Sequence, residues 1–290
     1  MNEQRHQKKL NQTQIKIKLL KISSIFLLLL LNFNSMSQDL AAGFKLWQST
    51  GLDWTITKKV SIKYAQLFAF NANPANFQFT QGDIELLYKT GKHLTIGAGY
   101  KPSLYKTTNS YKFYNRLYSE FIFRHKMLSL PLKHTLTVDY NFPKLPKYRY
   151  RFIYSMNYYF KNEVLPFGMT PYLKGEIYYY LGGYNISYYD DLSALIIKQR
   201  PNDFHRFRIG GGITSKPFPN LRATIYYLWQ LEFNTPFTTN RNINVPSLDK
   251  LSIKAPFNNY SVVGLELEFD IHSKERIKSK KPIKTDLDEN

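Results

Sequence analysis

The chain has 290 residues, with 40 lysines and arginines against 21 aspartates and glutamates, and it has no cysteine. The lack of cysteine excludes disulfides, a lipid-anchored lipoprotein and cysteine-ligated zinc. The net charge of +19 is spread along the sequence and is not clustered in a patch or along a helix, as a nucleic-acid footprint requires. We therefore expect no nucleic-acid partner.

Residues 1–37 have the organisation of a secretory signal peptide. Lys16, Lys18 and Lys21 precede an apolar run, ISSIFLLLLL, and small residues follow at Ser35 and Ser37. The run is well short of the roughly 20 residues that a membrane-spanning helix needs. We predict cleavage before Gln38 and export of the chain. An uncleaved signal anchor is the alternative.

From Phe44 onward, apolar and polar residues alternate in segments of about ten residues that are bounded by Gly, Pro, Asn or Lys. No part of the mature chain keeps a 3.6-residue period, so we predict an all-β protein without helices. The predicted β-segments are 43–56, 60–70, 80–90, 94–105, 114–124, 132–142, 148–160, 170–181, 204–216, 221–234 and 259–271.

The predicted strands have one apolar face and one polar face, because successive side chains of a strand point to opposite sides. Segment 260–271 reads YSVVGLELEFDI and sets Glu266, Glu268 and Asp270 opposite an apolar row. The apolar residues of this row are Val263, Leu265, Leu267, Phe269 and Ile271. Segment 221–233 has a row of seven, formed by Leu221, Ala223, Ile225, Tyr227, Trp229, Leu231 and Phe233.

Strand length and connection length favour a membrane barrel over a soluble exported β-sandwich. Soluble strands usually have five or six residues, whereas a tilted membrane strand needs about 9–11. Tight turns are predicted at 57–59, 91–92 and 217–220, and long loops at 71–79, 106–113, 182–203 and 235–257. Short turns at one rim and long loops at the other are typical of outer-membrane barrels.

Residues 38–271 are therefore predicted to form one up-and-down antiparallel transmembrane β-barrel. Eleven segments conflict with the even strand number of bacterial single-chain barrels. We predict twelve strands, with a further short strand within residues 39–47, and ten as the second choice. Residues 272–290, with six basic and four acidic residues and almost nothing apolar, are predicted to be a solvated charged tail.

Several of these features together resemble a known family. They are the signal peptide, Trp47 near the mature start, hairpins of the form LxxxYxxG, Arg and Glu alternating within strands, and a final strand ending in Phe269. The chain resembles uncharacterised outer-membrane barrels of Gram-negative bacteria, mostly Bacteroidota, that are grouped as a domain of unknown function. The resemblance extends over about residues 40–271. It implies an outer-membrane location, with the membrane lipid and the barrel-assembly machinery as partners.

The charged face of the strands is the main candidate for function. We predict a lumen charge network of Asp83, Glu85, Arg116, Glu120, Arg124, Arg149, Arg151, Lys174, Glu176, Arg206, Arg208, Arg222, Glu232, Glu266 and Glu268. In a narrow barrel, opposite charges on neighbouring strands can pair and fill the interior. The alternative is that the same residues line a small porin or a ligand channel.

Catalysis is not expected. The mature histidines are His125, His134, His205 and His272, and none lies in a motif with a nucleophile, although His205 lies near Asp203. No zinc-type spacing occurs, so we predict neither metal nor cofactor. The glycine run 210–212 lies inside an alternating strand with no helix after it, which favours a strand bend or a close backbone approach over a phosphate-binding loop.

A tyrosine-rich segment, 178–191, is the second place where function is expected. Its sequence, YYYLGGYNISYYDD, combines aromatic surface with two carboxylates in a predicted long loop. Tyrosine provides contact area at low entropic cost, which suits binding of a sugar or protein at the cell surface. The candidate binding residues are Tyr184, Tyr188, Tyr189, Asp190 and Asp191. An interfacial aromatic girdle is the alternative interpretation of this segment.

The sequence thus predicts a non-enzymatic outer-membrane barrel with a charge-filled lumen, Tyr-rich extracellular loops and an unknown ligand. The other functions left open are a small porin or ligand channel, and a soluble exported β-sandwich that binds a partner.

Overall fold

The computed structural model describes residues 43–107, 109–127, 130–145, 147–160, 169–189, 192, 194–200, 202–232, 245–246, 253–254 and 258–272. The predicted signal peptide and the tail beyond His272 lie outside these residues. The described part of the chain is all-β, as predicted, and contains no helix. No helix that is long and apolar enough to cross a membrane occurs in it.

Sixteen strands are present in the described residues. They are β1 (Gly43–Thr55), β2 (Val60–Ala72), β3 (Ala75–Lys89), β4 (Leu94–Tyr100), β5 (Ser103–Lys106), β6 (Tyr111–Met127), β7 (Leu130–Phe142), β8 (Tyr148–Tyr159), β9 (Thr170–Gly182), β10 (Ile186–Tyr189), β11 (Leu195–Gln199), β12 (Asp203–Phe218), β13 (Leu221–Glu232), β14 (Val245–Pro246), β15 (Ile253–Lys254) and β16 (Tyr260–His272).

The main sheet closes on itself into a barrel. Neighbouring strands follow the order β2-β1-β16-β13-β12-β9-β8-β7-β6-β4-β3, and β2 also pairs with β3. The short strands β4 and β5 occupy one position, since both lie between β3 and β6. The barrel wall therefore has eleven strand positions. A closed single sheet is not the two-sheet sandwich that the sequence left as an alternative.

The predicted count of twelve strands, or ten, is not confirmed. Strand β1 runs unbroken from Gly43 to Thr55, so part of the expected extra strand belongs to β1. In a barrel of eleven alternating strands the first and last run the same way, and β1 pairs with β16 in parallel from Gly43 opposite Tyr260 to Thr55 opposite His272. This one parallel pair makes the sheet mixed and removes the need for an even number.

The two ends of the barrel differ in their connections. At one end, which we call the turn rim, β1–β2, β3–β4, β6–β7, β8–β9 and β12–β13 are joined. At the other, the loop rim, the chain connects β2–β3, β5–β6, β7–β8, β9–β12 and β13–β16. The two longest connections, from Gly182 to Asp203 and from Glu232 to Tyr260, both lie at the loop rim. The small hairpin β10–β11 lies within the first of them.

Two of the predicted long loops are short turns. Strands β2 and β3 extend to Ala72 and Ala75, because pairing continues through the aromatic contact of Phe70 with Phe77, whose ring centroids are 5.9 Å apart. The loop predicted at 106–113 is shortened in the same way, since β5 and β6 pair as far as Lys106 opposite Tyr111.

The tight turn between β1 and β2 is stabilised by a side chain that bonds to the backbone. The Oγ1 of Thr57 accepts hydrogen bonds from the backbone N–H groups of Lys59, at 3.2 Å, and Val60, at 3.0 Å. A threonine side chain that bonds to the backbone in this way stabilises a tight turn. The predicted turn at 57–59 is therefore present.

The strand faces follow the predicted alternation. In β1 the residues Phe44, Leu46, Leu52 and Trp54 are exposed on the outside, while the odd-numbered residues that alternate with them are more buried. In β16 the apolar row from Val263 to Ile271 faces outward in the same way. The outward positions of β1, β13 and β16 carry no charged side chain. The exterior of this wall is thus apolar, and the charges of these strands point inward.

The glycine run in β12 marks a close approach of backbones. A Cβ atom at Gly212 would lie 2.5 Å from the carbonyl oxygen of Ile225, and one at Gly211 would lie 2.7 Å from that of Tyr172. These distances are well below van der Waals contact with backbone atoms that cannot swing away. The strand assignment supports the interpretation of a close approach over that of a phosphate-binding loop.

We expect Gly212→Ala to destabilise the barrel by about 1–3 kcal/mol, the usual cost of overpacking. The matched control is Gly175→Ala in β9, where nothing lies within 4 Å of the added Cβ. The measurement is the temperature at which the folded band of each variant is lost in a gel of samples heated stepwise. Equal loss in the two variants would show that the close approach at Gly212 has no energetic consequence.

Candidate functional site

The inward face of the barrel brings together most of the charged residues that the sequence singles out. Alternation places inward the odd-numbered positions of β1, the even-numbered positions of β13 and β16, and those of β12 from Arg206 onward, after a register shift next to His205. Opposite charges from adjacent strands meet there. The ion pairs fall into a group towards the loop rim, a group in the middle and a group towards the turn rim.

Arg208 in β12 connects side chains of five strands. Its Nε donates to Gln230 Oε1 at 2.8 Å, and its two terminal nitrogens donate to the hydroxyls of Tyr178, at 2.8 Å, and Tyr260, at 3.1 Å. The guanidinium also lies 5.7 Å from the ring centroid of Trp47, three strand positions away in β1. The five donors of a planar guanidinium suit such a branching contact. Arg208 therefore reaches across the interior.

Two further arginines near Arg208 pair with buried carboxylates. Arg206 donates through Nε to Glu232 Oε1 at 2.5 Å, and the Glu232 side chain is 1 % exposed. Arg151 donates to Asp139 Oδ2 through Nε, at 2.8 Å, and through a terminal nitrogen. Arg116 lies 3.4 Å from the same oxygen. Asp139 is not among the predicted residues of the charge network, although its carboxylate pairs with two of them, Arg116 and Arg151.

A second group lies towards the turn rim. Arg222 contacts Glu268 at 3.4 Å and Asp270 at 3.1 Å, and Lys63 contacts Asp53 at 3.3 Å and Glu268 at 3.6 Å. Carboxylate oxygens of Asp53, Glu268 and Asp270 lie within 4.8 Å of one another, which is the spacing of a metal site. The positively charged side chains of Arg222 and Lys63 already pair with these carboxylates, so we interpret the group as an ion-pair network.

The remaining predicted residues face the interior with mixed partners. Asp83 accepts a hydrogen bond from the Tyr118 hydroxyl at 2.8 Å and pairs with Lys101 at 2.9 Å. Lys174 pairs with Glu176 at 2.7 Å, and Arg124 donates to Thr95 Oγ1 at 3.1 Å. Three others take inward positions, namely Glu85, Glu120 and Glu266.

Arg149 departs from the predicted arrangement. The pairing of β8 with β9 shifts register between Tyr148 and Tyr150, so alternation is interrupted at that point. The guanidinium of Arg149 lies 5.4 Å from the ring centroid of Tyr140 and donates to its hydroxyl. Tyr140 is on the outward side of β7, next to the inward Asp139. The β-bulge therefore turns Arg149 away from the interior, which alternation alone does not predict.

A cavity of about 600 Å³ lies in the loop-rim half of the barrel. Its described lining has eight basic side chains and no acidic one. The basic residues are Lys45, Lys101, Lys106, Arg116, Lys147, Arg151, Arg206 and Arg208. The aromatic residues that share this lining are Trp47, Phe79, Tyr105, Tyr114, Tyr148, Tyr178 and Tyr260. Cavities of this size, with a few convergent polar groups, are typical of small-molecule sites.

Lys147, in the connection between β7 and β8, lines this cavity and has a shifted pKa. The pKa of its ammonium is lowered to about 7, mainly by burial; Glu232 opposes this shift, and the nearby charges of Arg206 and Lys45 add to it. The charged form of Lys147 is thus disfavoured mainly by its burial. An anion bound in the cavity would favour the charged form and raise this pKa.

The candidate loop residues are only partly described. Tyr184 is half exposed, and the Lys144 Nζ lies 4.6 Å from its ring centroid. Tyr188 and Tyr189 belong to the hairpin strand β10. Asp190 and Asp191 lie outside the described residues, so the structure does not test the predicted grouping of these five residues.

The histidines take separate positions. His205 is 1 % exposed and its ring centroid lies 6.0 Å from that of Tyr180. His125 and His134 stack at 5.1 Å on the outward side of β6 and β7. His134 Nδ1 lies 2.7 Å from the Tyr154 hydroxyl. The absence of an enzymatic activity stays a prediction.

The closed sheet, the inward charges and the basic cavity define a class: β-barrel proteins with a polar, partly filled interior. Within that class the chain belongs to the family described as "Protein of unknown function (DUF2490)", which it matches over residues 44–241. The match begins in β1 and extends past β13, and it is shorter than the range of about 40–271 expected from the resemblance. No curated protein matches the chain.

Proposed function

We propose that the protein is an outer-membrane β-barrel of a Gram-negative bacterium, in keeping with the Bacteroidota barrels that its sequence resembles. It spans the lipid with its eleven-strand wall and acts without covalent chemistry. Its interior is closed by paired charges, and it binds its ligand at the end that carries the long connections. Its partners are the outer-membrane lipid and the barrel-assembly machinery.

One observation carries the membrane proposal: outward apolar and aromatic residues lie opposite one another around nine consecutive strand positions. In the order of the wall they are Leu221, Phe269, Leu52, Tyr64, Ile84, Tyr100, Leu117, Tyr140 and Tyr150. Soluble monomers rarely expose a continuous apolar surface of this extent. Hydrocarbon is the solvent that matches it, and a closed barrel leaves no unpaired strand edge there.

Strand length supports the same proposal. β1 and β16 have 13 residues each and β12 has 16. A tilted strand needs about 9–11 residues to cross the hydrocarbon core. The predicted signal peptide supplies the route of export, and the tyrosine-rich connection between β9 and β12 would then be extracellular.

The non-enzymatic part of the proposal rests on the arrangement of the interior. The acidic side chains Asp139, Glu176 and Glu232 each pair with an arginine or lysine, which leaves them poorly suited to act as bases. A narrow interior filled by such pairs favours a closed barrel over an open porin.

The proposal is tested by expressing the full chain and fractionating the cells. We expect the protein in the Sarkosyl-insoluble outer membrane, with a mature N-terminus at Gln38 and a folded band that shifts in a gel when the sample is boiled. Recovery of the protein from the soluble periplasm would contradict a membrane barrel. Recovery from the inner membrane with an intact N-terminus would indicate the signal-anchor alternative.

A further inference from the structure

The cavity in the loop-rim half has an excess of positive charge. Five of its eight basic side chains share four carboxylates, namely Asp83, Asp139, Glu176 and Glu232. Arg116 and Arg151 share Asp139, and Glu176 also pairs with Lys174, so these carboxylates do not balance even those five cationic side chains. Such a surplus inside a protein is costly unless an anion or water compensates it.

Two lysines show where this surplus lies. Lys45 has no carboxylate within ion-pair distance among the described residues, and its Nζ lies 3.9 Å from the ring centroid of Tyr260. Lys106 in β5, three strand positions from β1, also lines the cavity and forms no ion pair within the described part of the chain. Their ammonium groups are available to a ligand, whereas most of the arginine groups are already shared with carboxylates.

An aromatic surface adjoins these charges. The rings of Phe79 and Tyr105 stack with centroids 4.8 Å apart, and Trp47 meets Phe79 edge-on at 6.1 Å. The indole Nε1 of Trp47 has no hydrogen-bond partner in the described structure. A ligand with a flat apolar face and an acceptor oxygen would satisfy both the rings and this donor.

We propose that this cavity binds a small polyanion that carries carboxylates or phosphates on a ring scaffold, with an acidic oligosaccharide as the preferred class. The anionic groups contact Lys45 and Lys106, and the arginine forks add bidentate hydrogen bonds. The ring faces pack on Trp47 and Phe79. This inference does not depend on the membrane location, since it uses only the interior of the barrel.

The test is calorimetric titration of the purified full-length protein with three probes. Digalacturonate supplies two carboxylates on two sugar rings, its dimethyl ester keeps the rings without the charge, and glucose 1,6-bisphosphate supplies phosphates. We expect digalacturonate to bind, the ester to bind at least tenfold more weakly (about 1.4 kcal/mol,) and affinity to fall with rising salt. Binding of the bisphosphate but not of digalacturonate would support the polyanion site and assign it to phosphates.

A matched pair of variants locates the site. Lys45→Gln with Lys106→Gln should raise the dissociation constant of the bound probe about tenfold, because the variant loses two ionic contacts to the anionic groups. Lys59→Gln with Lys89→Gln removes the same charge at the turn rim and should leave it unchanged. Equal weakening in both variants would reduce the effect to overall charge and overturn the proposal.

Tryptophan fluorescence gives an independent readout. The chain has three tryptophans, and Trp54 and Trp229 take outward positions in β1 and β13. Ligand in the cavity should therefore change the emission of Trp47 alone, and Trp47→Phe should abolish the change. If neither digalacturonate nor the bisphosphate gives heat or a change in fluorescence at millimolar concentration, the proposed site does not exist.

Discussion

Replacing both Ile225 and Leu265 by arginine should abolish assembly of the barrel. The two residues lie directly opposite each other near the middle of β13 and β16, and both face outward. An arginine near the bilayer midplane costs about 2–4 kcal/mol, so the pair would lose roughly 4–8 kcal/mol, which is comparable to the whole stability of a domain. The measurement is the amount of heat-modifiable protein in the outer-membrane fraction.

The control for this experiment is Thr224→Arg, one residue away on the inward face. Thr224 lies opposite Glu266 in the register of β13 and β16. No ion pair of Glu266 occurs among the described residues, so the introduced guanidinium has a carboxylate to meet. We expect the folded band to persist in this variant. If all three arginines were tolerated equally, neither face would contact lipid and the membrane proposal would fail.

The unmodified barrel should conduct little or no current in a planar bilayer, whereas Arg206→Ala with Arg208→Ala should open it. The single side chain of Arg208 contacts side chains of four other strands in the interior, namely β9, β13, β16 and β1. Removal of both arginines leaves Glu232 without its arginine partner and Glu176 with Lys174 alone, and an unpaired buried carboxylate draws in water. The expected result is the appearance of stepwise conductance.

Arg149→Ala provides the matched control, because it deletes the same side chain from a residue that lies on the outward side against Tyr140. This variant should stay silent. Arg208→Gln is a milder second variant in case the double change prevents folding, which the heat-dependent gel shift detects. Steady, large steps from the unmodified protein would replace the closed-barrel proposal with a porin.

Alternation of side chains was enough to predict the strands and their faces. In β16 the period of two places Glu266 and Glu268 on one face and Leu265 and Leu267 on the other. The observed strand has the leucines outward and the carboxylates inward. The all-β class and the segments of the wall follow from this pattern alone, since a helix would scatter the same residues around its axis.

The strand count could not be derived in the same way. Whether β1 pairs in parallel or antiparallel with β16 is a property of closure, and neither strand carries a local signal for its partner. The preference for an even number came from other barrels. The observed parallel pair depends on matching two 13-residue strands that are far apart in the sequence.

Local irregularities account for the other differences. The bulge between Tyr148 and Tyr150 reverses the expected side of Arg149, and a bulge leaves little trace in a single sequence. Asp139 was overlooked because its importance comes from Arg116 and Arg151 meeting at one carboxylate. The sequence does not reveal the cavity, because its lysines come from three separate parts of the chain, namely β1, residues 101–106 and the connection between β7 and β8.

The parallel pairing of β1 with β16 places the two ends of the barrel chain at opposite rims. Since β1 and β16 run in the same direction, the chain enters the wall at the loop rim through Gly43 and leaves it at the turn rim through His272. In any bilayer that the barrel spans, the two flanking segments would start on opposite sides. A tag joined before Gly43 and another joined after His272 would then be accessible from different compartments. The accessibility of the two tags would therefore report the orientation of the barrel in the membrane.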